Sequence, residues 1–259
     1  MIKVGVFGAA GRMGIEVCRA VIEADDLDLV AAIDLETKLT LAERGLESGL
    51  KITSEADPNF DVAVDFTEAS VAASNIQWCL GNDVHAVVGT TGLTDAQIEG
   101  IAKLADGAKA NVLIAPNFAI GAVLMMEFAK RAARFLGDAE IIELHHPGKR
   151  DAPSGTALST LKGIVQNRRG EPVDSEIHES LPGARGGEQD GVRIHSVRLP
   201  GLVAHQEVIF GSQGQTLSIR HDSTDRTSFM PGVLLGIREI ANHPGVTLGL
   251  ENFIDADLM

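Results

Sequence analysis

IKVGVFGAAGRMGIEVCRAVIEADDLDLVAAID, residues 2–34, is the stretch whose reading decides the fold. IKVGVF (2–7) is rich in Val and Ile and predicts a buried strand. GAAGRMG (8–14) follows without a spacer, and residues 12–24 place Met13, Val17, Ala20 and Val21 on one helical face. A second strand, DLVAAI (28–33), runs into Asp34. Strand, glycine turn, helix and strand make one βαβ unit, for which a right-handed crossover is the rule.

The turn carries its own chemistry. Gly8, Gly11 and Gly14 are spaced G-x-x-G-x-x-G, a variant of the dinucleotide fingerprint. Such glycines allow a tight turn, close approach of the backbone to a pyrophosphate, and helix–strand contact without a Cβ. The helix start then turns its free N–H groups toward phosphate. Asp34 stands twenty residues past Gly14, where a carboxylate can accept hydrogen bonds from ribose hydroxyls. Leu35 follows it, so a 2′-phosphate would meet an acid with only Arg12 and Lys38 as nearby cations. NADH is therefore expected to serve at least as well as NADPH.

The same alternation continues outward. Strands at DVAVDF (61–66), VHAVVG (84–89) and NVLIAP (111–116), with helices near 68–80 and 94–105, predict a doubly wound parallel sheet covered on both faces. GTTG (89–92) and APNF (115–118) fall at strand ends, where ligands bind in open α/β sheets, although both also read as plain turns. After Pro116 the pattern changes to a helix (120–136), a strand AEIIELH (139–145) and a helix from Ser154. Residues 170–191 read as a long loop, and strands at 192–199, 202–210 and 214–221 predict a mainly antiparallel sheet in a second, α+β domain. The tail returns to helix, strand and short helix. The expected division is 1–116 with 227–259, and 117–226.

Composition narrows the function. Of 259 residues, 44% are apolar and 22% charged, as in an ordinary globular protein with a buried core. A net charge of −14 argues against nucleic acid, which needs basic patches. The apolar runs are too short to span a bilayer, and a strand beginning almost at Met1 leaves no room for a signal peptide, so the cytoplasm is expected. Cys18 and Cys79 lie in predicted helices and read as small buried hydrophobes. The absence of tyrosine removes any Tyr–Lys general acid.

Against that acidic background, ELHHPGKRDAPSGTAL (143–158) gathers cations. His145 and His146 would point to opposite faces of a regular strand, which disfavours a shared metal, and no metal is expected. Ser154 can cap the next helix, so that Gly155 and Thr156 present N–H groups beside Lys149. Imidazole, ammonium and helix start together make a carboxylate or phosphate receptor. His145 and Lys149 are suitable acids for a site that gains negative charge as hydride arrives. The plain alternative is a capped helix preceded by a solvated basic turn. His195, His205, His221 and Arg198 read first as strand-face residues, and Arg185 could reach a second carboxylate.

With these residues in place, the chain resembles the 4-hydroxy-tetrahydrodipicolinate (dihydrodipicolinate) reductase family over essentially its whole length. The most specific match is ELHHPGKRDAPSGTA (143–157), supported by GAAGRMG, GTTG, APNF, RLPGLVAHQEVIFG (198–211) and RTSFMPGV (226–233). The resemblance implies a Rossmann-like domain completed by the tail and a central domain that binds substrate and builds a homotetramer. It implies NAD(P)H-dependent reduction of a small cyclic dicarboxylate in the diaminopimelate route to lysine. His145 resembles the proton donor or acceptor and Lys149 the second donor, with His146, Gly155 and Thr156 as substrate contacts. Gly8, Ala9, Ala10, Gly11, Arg12, Met13, Asp34, Gly89, Thr90, Thr91, Ala115, Pro116, Asn117 and Phe118 resemble dinucleotide contacts. Leu35 departs from members that carry Arg there, which bears on NADPH preference only. A homoserine-type dehydrogenase and a dinucleotide sensor without turnover are the rival readings. A thioester-forming dehydrogenase would need a nucleophilic cysteine that neither Cys18 nor Cys79 suits.

Overall fold

The computed structural model describes residues 1–35, 37, 40–170 and 178–254. It divides into two compact units, Met1–Ala119 with the chain from Arg226 onward, and Ile120–Asp225.

The first unit is built from β1 (Ile2–Phe7), α1 (Arg12–Ile22), β2 (Leu27–Ile33), β3 (Ile52–Thr53), β4 (Val62–Asp65), α2 (Ala69–Gly81), β5 (His85–Val88), α3 (Asp95–Ala105) and β6 (Val112–Ile114). The second unit contributes α4 (Ile120–Ala132), β7 (Asp138–His145), α5 (Gly155–Asn167), β8 (Gly187–Gln189), β9 (Val192–Arg198), β10 (Ala204–Ser212) and β11 (Gln215–Ser223). The chain then returns to the first unit with α6 (Met230–Glu239) and β12 (Val246–Leu248).

In the first unit the strand order is β12-β6-β5-β4-β1-β2-β3, and every pairing is parallel. A parallel sheet needs cover on both faces, and its central strands are correspondingly apolar: all of β4 and β6 is buried. The order reverses between β1 and β4, which makes their carboxyl ends the topological switch point. Phe7, Ile33, Ile76, Val88, Ile101 and Ile114 belong to the core on one side. The tail helix is integral to this unit, since a Cβ on Gly232 of α6 would lie 2.0 Å from the Phe118 carbonyl oxygen.

The buried face of α1 is Gly14, Val17, Cys18 and Val21; of the expected stripe Val17 and Val21 lie on it, while Met13 and Ala20 are only half-buried, so the face is turned toward Gly14 and Cys18. The reason is contact. A Cβ on Gly14 would stand 2.0 Å from the Gly8 carbonyl oxygen, so the helix packs its glycine directly on the turn.

The second unit has strand order β11-β10-β7-β9-β8, antiparallel throughout except for β7 against β9. Those two are parallel because the connection between them passes through α5. The core on one face of this sheet gathers Met125 and Ala129 of α4, Leu161 and Ile164 of α5, and Ile141, Ile194 and Phe210 from the sheet. Strand β8 lies inside the segment expected to be loop. GEQ is wholly exposed and polar, so an edge strand of this kind leaves no apolar alternation to detect. Residues 171–177 of that segment lie outside the described residues.

Candidate active site

The glycine turn sits at the switch point. Gly8 adopts φ +78°, and a Cβ there would also press on the Phe66 carbonyl oxygen at 2.8 Å. Gly11 is the N-cap of α1 and supplies no side-chain cap, nor is there an acid in the first turn. By contrast, α3 closes its own N-terminus with a Thr94–Gln97 capping box. The first N–H groups of α1 are thus left to an external acceptor such as a pyrophosphate. Asp34 caps the other side of the turn, accepting a hydrogen bond from the Ala10 N–H at 2.9 Å. A cavity of about 860 Å³ opens beside these groups, lined by Gly8, Gly11, Arg12, Asp34, Leu35 and Trp78 among others. Its size suits a nucleoside, and these are the features a dinucleotide requires. Leu35 is 90% exposed, and Lys38 lies outside the described residues.

Among the remaining expected cofactor contacts, the structure separates surface from scaffold. Ala9 is buried, Ala10 and Met13 are half-buried, and Arg12 is exposed. Gly89 lies under the Phe66 ring, and Thr91 is exposed. Thr90 turns inward, donating its hydroxyl to Asp65 Oδ1 at 2.7 Å. Ala115 and Phe118 are buried, Phe118 packing against Phe66 with ring centroids 5.8 Å apart. Pro116 is exposed, and Asn117 Oδ1 accepts from the Ala119 N–H at 2.9 Å.

Asp65 carried no signal in the sequence beyond ending an apolar strand. It is 2% exposed and accepts hydrogen bonds from the Thr67 N–H, the hydroxyls of Thr67 and Thr90, and the Asn75 amide, all at 2.7–2.9 Å. One carboxylate therefore ties together the turns that follow β4 and β5.

In the second unit, β7 delivers His145 as its last residue, and His146 lies just beyond the strand, exposed. Lys149 is half-buried with its Nζ 2.9 Å from Asp151 Oδ2. Ser154 caps α5, its Oγ accepting from the Ala157 N–H at 3.2 Å. Gly155 and Thr156 form the first turn, which holds no acid. The cations and the helix start thus fall within one short segment.

Beneath them lies Glu143, whose side chain is fully buried. Arg198 of β9 grips it with two hydrogen bonds, Nη1 to Oε2 at 2.9 Å and Nη2 to Oε1 at 2.8 Å. The same guanidinium donates to the carbonyls of Asp151 at 2.7 Å and Lys149 at 3.3 Å. His145 Nδ1 is hydrogen-bonded to Glu143 Oε2. Burial pushes Glu143 up, but the hydrogen bonds from Arg198, Ser196 and His145 outweigh it and hold the carboxyl below its usual range. An ionised carboxylate only accepts, so Nδ1 carries the proton in this pair. Burial pushes His145 below the usual imidazole range, Glu143 draws it partly back, and Lys149 and Arg198 push it down again.

The other basic residues have structural partners. His195 Nε2 is 2.8 Å from Glu140 Oε2, and Arg185 pairs with Glu140 as well. His205 Nδ1 is 2.7 Å from Asp222, and His221 packs over Gly121. Cys18 and Cys79 are buried; burial pushes the Cys18 thiol up to about 12 and Cys79 up as well, so neither is a nucleophile. Among the described residues no three His, Cys, Asp or Glu side chains gather as a metal site, and no helix is long and apolar enough to cross a membrane.

Two family models account for nearly the whole chain: dihydrodipicolinate reductase, N-terminus, matches residues 2–118, and dihydrodipicolinate reductase, C-terminus, matches residues 121–254. The chain belongs to the dihydrodipicolinate reductase family. It is accordingly an oxidoreductase. Among similar members, the 4-hydroxy-tetrahydrodipicolinate reductase of Nocardia farcinica is 52% identical, covering 98% of this chain and 99% of that protein. That of Corynebacterium aurimucosum is 51% identical, covering 98% of each. A solved dihydrodipicolinate reductase from Paenisporosarcina sp. TG-14, described as dipicolinate-bound, superposes with a TM-score of 0.88 at 41% identity, covering 97% of this chain and 99% of that one. The fold of this reductase family thus extends over both units described above.

Proposed function

We propose that this chain reduces 4-hydroxy-tetrahydrodipicolinate to tetrahydrodipicolinate, the reaction of the diaminopimelate route to lysine. The observation that carries the reading is the convergence of His145, His146, Lys149 and the acid-free first turn of α5 just beyond the end of β7. A planar ring with two carboxylates needs such a receptor. The amides of Gly155 and Thr156 with Lys149 receive one carboxylate, and His146 adds a further donor. A reduced nicotinamide dinucleotide supplies the hydride. Gly8–Met13 would hold its pyrophosphate and Asp34 its adenosine ribose, and the turns Gly89–Thr91 and Ala115–Phe118 would hold the nicotinamide end.

The 4-hydroxyl leaves as water to give an unsaturated ring; as hydride then enters that ring, negative charge builds at the neighbouring position and is met by a proton. His145 gives it, with Lys149 as the second donor. His145 is held below its ordinary range, so it is largely neutral near pH 7. A doubly negative substrate favours the imidazolium and charges the acid when it is needed. With Asp34 beside the ribose and Leu35 next to it, NADH serves at least as well as NADPH.

The chain assembles as a homotetramer in this reading. Ile142 and Leu144 of β7 and Ile209 of β10 alternate with core residues and remain only half-buried, on a sheet face shared with Glu140 and Glu207, which leaves a mixed apolar and charged surface for a second copy. We place the enzyme in the cytoplasm, with its small biosynthetic substrate.

The test follows NADH absorbance with enzymatically generated substrate, alongside homoserine and its semialdehyde. Turnover confined to the first supports the proposal; turnover of homoserine alone, or NADH binding without turnover of any, overturns it. A crystal soaked in pyridine-2,6-dicarboxylate should show that compound against Lys149, Gly155 and Thr156. Light scattering of the purified protein checks the tetramer.

A further inference from the structure

The buried Glu143–Arg198 pair spans three parts of the candidate site. Glu143 lies two residues before His145 on β7, where the strand alternation puts both on the same face. Its carboxylate accepts from the His145 ring and from both guanidinium nitrogens of Arg198, which comes from β9, 55 residues away. Arg198 in turn donates to the carbonyls of Lys149 and Asp151, the residues that carry the cation and its counter-ion. A fully buried carboxylate is costly unless its lone pairs are used, and these are used on His145, Arg198 and Ser196.

We infer that Glu143 and Arg198 are a positioning pair for proton transfer, the carboxylate holding His145 as its Nδ1–H tautomer and the guanidinium fixing the Lys149 backbone carbonyl. With Nδ1 committed, any proton exchanged with a ligand passes through Nε2. Neither residue need touch the substrate. Three elements are thereby locked in register: the end of β7, the His-Pro-Gly turn with Lys149, and the end of β9. The inference rests on the role given to His145 above.

Three charged groups act on the ring. Glu143 lies on its own strand, Lys149 on the following turn and Arg198 on β9, while its partner on β10, Ala204, is uncharged and is followed by His205. Glu143 is the only acid among them. Replacing it with a neutral residue destabilises the imidazolium, so the alkaline fall in kcat moves to lower pH.

The experiment compares Glu143→Gln, Glu143→Asp, Arg198→Lys and His145→Gln with the unaltered enzyme. It measures kcat, KM, NADH affinity from Trp78 fluorescence, and the ¹⁵N ring resonances of His145, identified by their loss in His145→Gln. Glu143→Gln is expected to lower kcat on the order of 10- to 100-fold, the lower part of what a positioned acid contributes. NADH affinity should stay within about twofold, since Asp34 and the glycine turn are unaffected. His145 should pass from a single Nδ1–H form to a mixture of tautomers, and Glu143→Asp should recover part of the rate. Should Glu143→Gln leave Arg198 too poorly compensated to fold, Glu143→Gln/Arg198→Met removes both charges and must show the same mixture. Wild-type kcat in Glu143→Gln beside an impaired His145→Gln would overturn the pair. An unimpaired His145→Gln would instead remove the proton role given to His145, and the tautomer measurement alone would then decide whether the pair orients the ring.

Discussion

The sharpest test of the nucleotide site compares two glycines, each inside a helix. A methyl group on Gly14 would lie 2.0 Å from the Gly8 carbonyl oxygen, 2.7 Å from its carbon and 2.9 Å from Ala9 Cα. All three are backbone atoms, so no rotamer change can relieve them. Restoring a 3.0 Å contact needs a displacement of about 1 Å between α1 and the turn. Overpacking of this kind costs about 1–3 kcal/mol or somewhat more, against which alanine returns about 1 kcal/mol of helix propensity. The net loss is about 1–2 kcal/mol, or a fall in Tm of roughly 2–8 °C for a unit of this size. Displacing the turn also forfeits at least one charge-assisted bond to the pyrophosphate, worth about 1.5–3 kcal/mol, so NADH affinity falls about 10- to 100-fold.

Gly100 in α3 is the control, because nothing lies within 4 Å of its would-be Cβ. Gly100→Ala should stabilise by about 0.5–1 kcal/mol and raise Tm by roughly 1–3 °C. Differential scanning calorimetry and Trp78 fluorescence titration read both proteins. A Gly14→Ala enzyme with unchanged Tm and NADH affinity would refute the contact argument, as would an equal loss in Gly100→Ala.

Other consequences can be checked alongside. Lys149→Ala should lower turnover on the order of 100-fold while NADH affinity changes little, and equal losses in both would contradict its assignment to substrate. Asp34→Ser removes the acid proposed to meet the ribose, and should raise the NADPH/NADH ratio of kcat/KM about tenfold, measured in paired assays. His85, His145 and His221 are all held below the usual imidazole range, burial being the leading cause in each. The unfolded chain therefore takes up protons that the native protein refuses as pH drops below about 6.5, and stability present above that pH is lost on acidification. His85 shows the reason, since its Nδ1 accepts the Asn111 N–H at 2.9 Å and cannot do so when protonated. Tm measured from pH 8 to 5 should fall, and His85→Asn, whose Oδ1 can take the same hydrogen bond, should flatten part of that slope.

Most of the first unit's sheet was legible because its signals are local. Strand, glycine turn, helix and acid follow one another within residues 2–34, and each step depends on near neighbours. The cluster from His145 to Thr156 is equally continuous, and so is its anion-receiving chemistry. Even here, the role of Thr90 was not legible, because its hydroxyl turns inward to a carboxylate 25 residues away.

The order of residues determined by itself that a parallel, dinucleotide-type sheet would form and that one segment would concentrate positive charge. Tertiary structure alone decided what holds those pieces in place. Asp65 joins two strand-end turns, Trp78 comes to line the cavity beside the glycine turn, and Glu143 meets Arg198 across the sheet. Periodicity and turn chemistry act over a few residues and can be read along the chain. A buried carboxylate finds its partners through strand pairing, and pairing brings together residues that no local pattern connects.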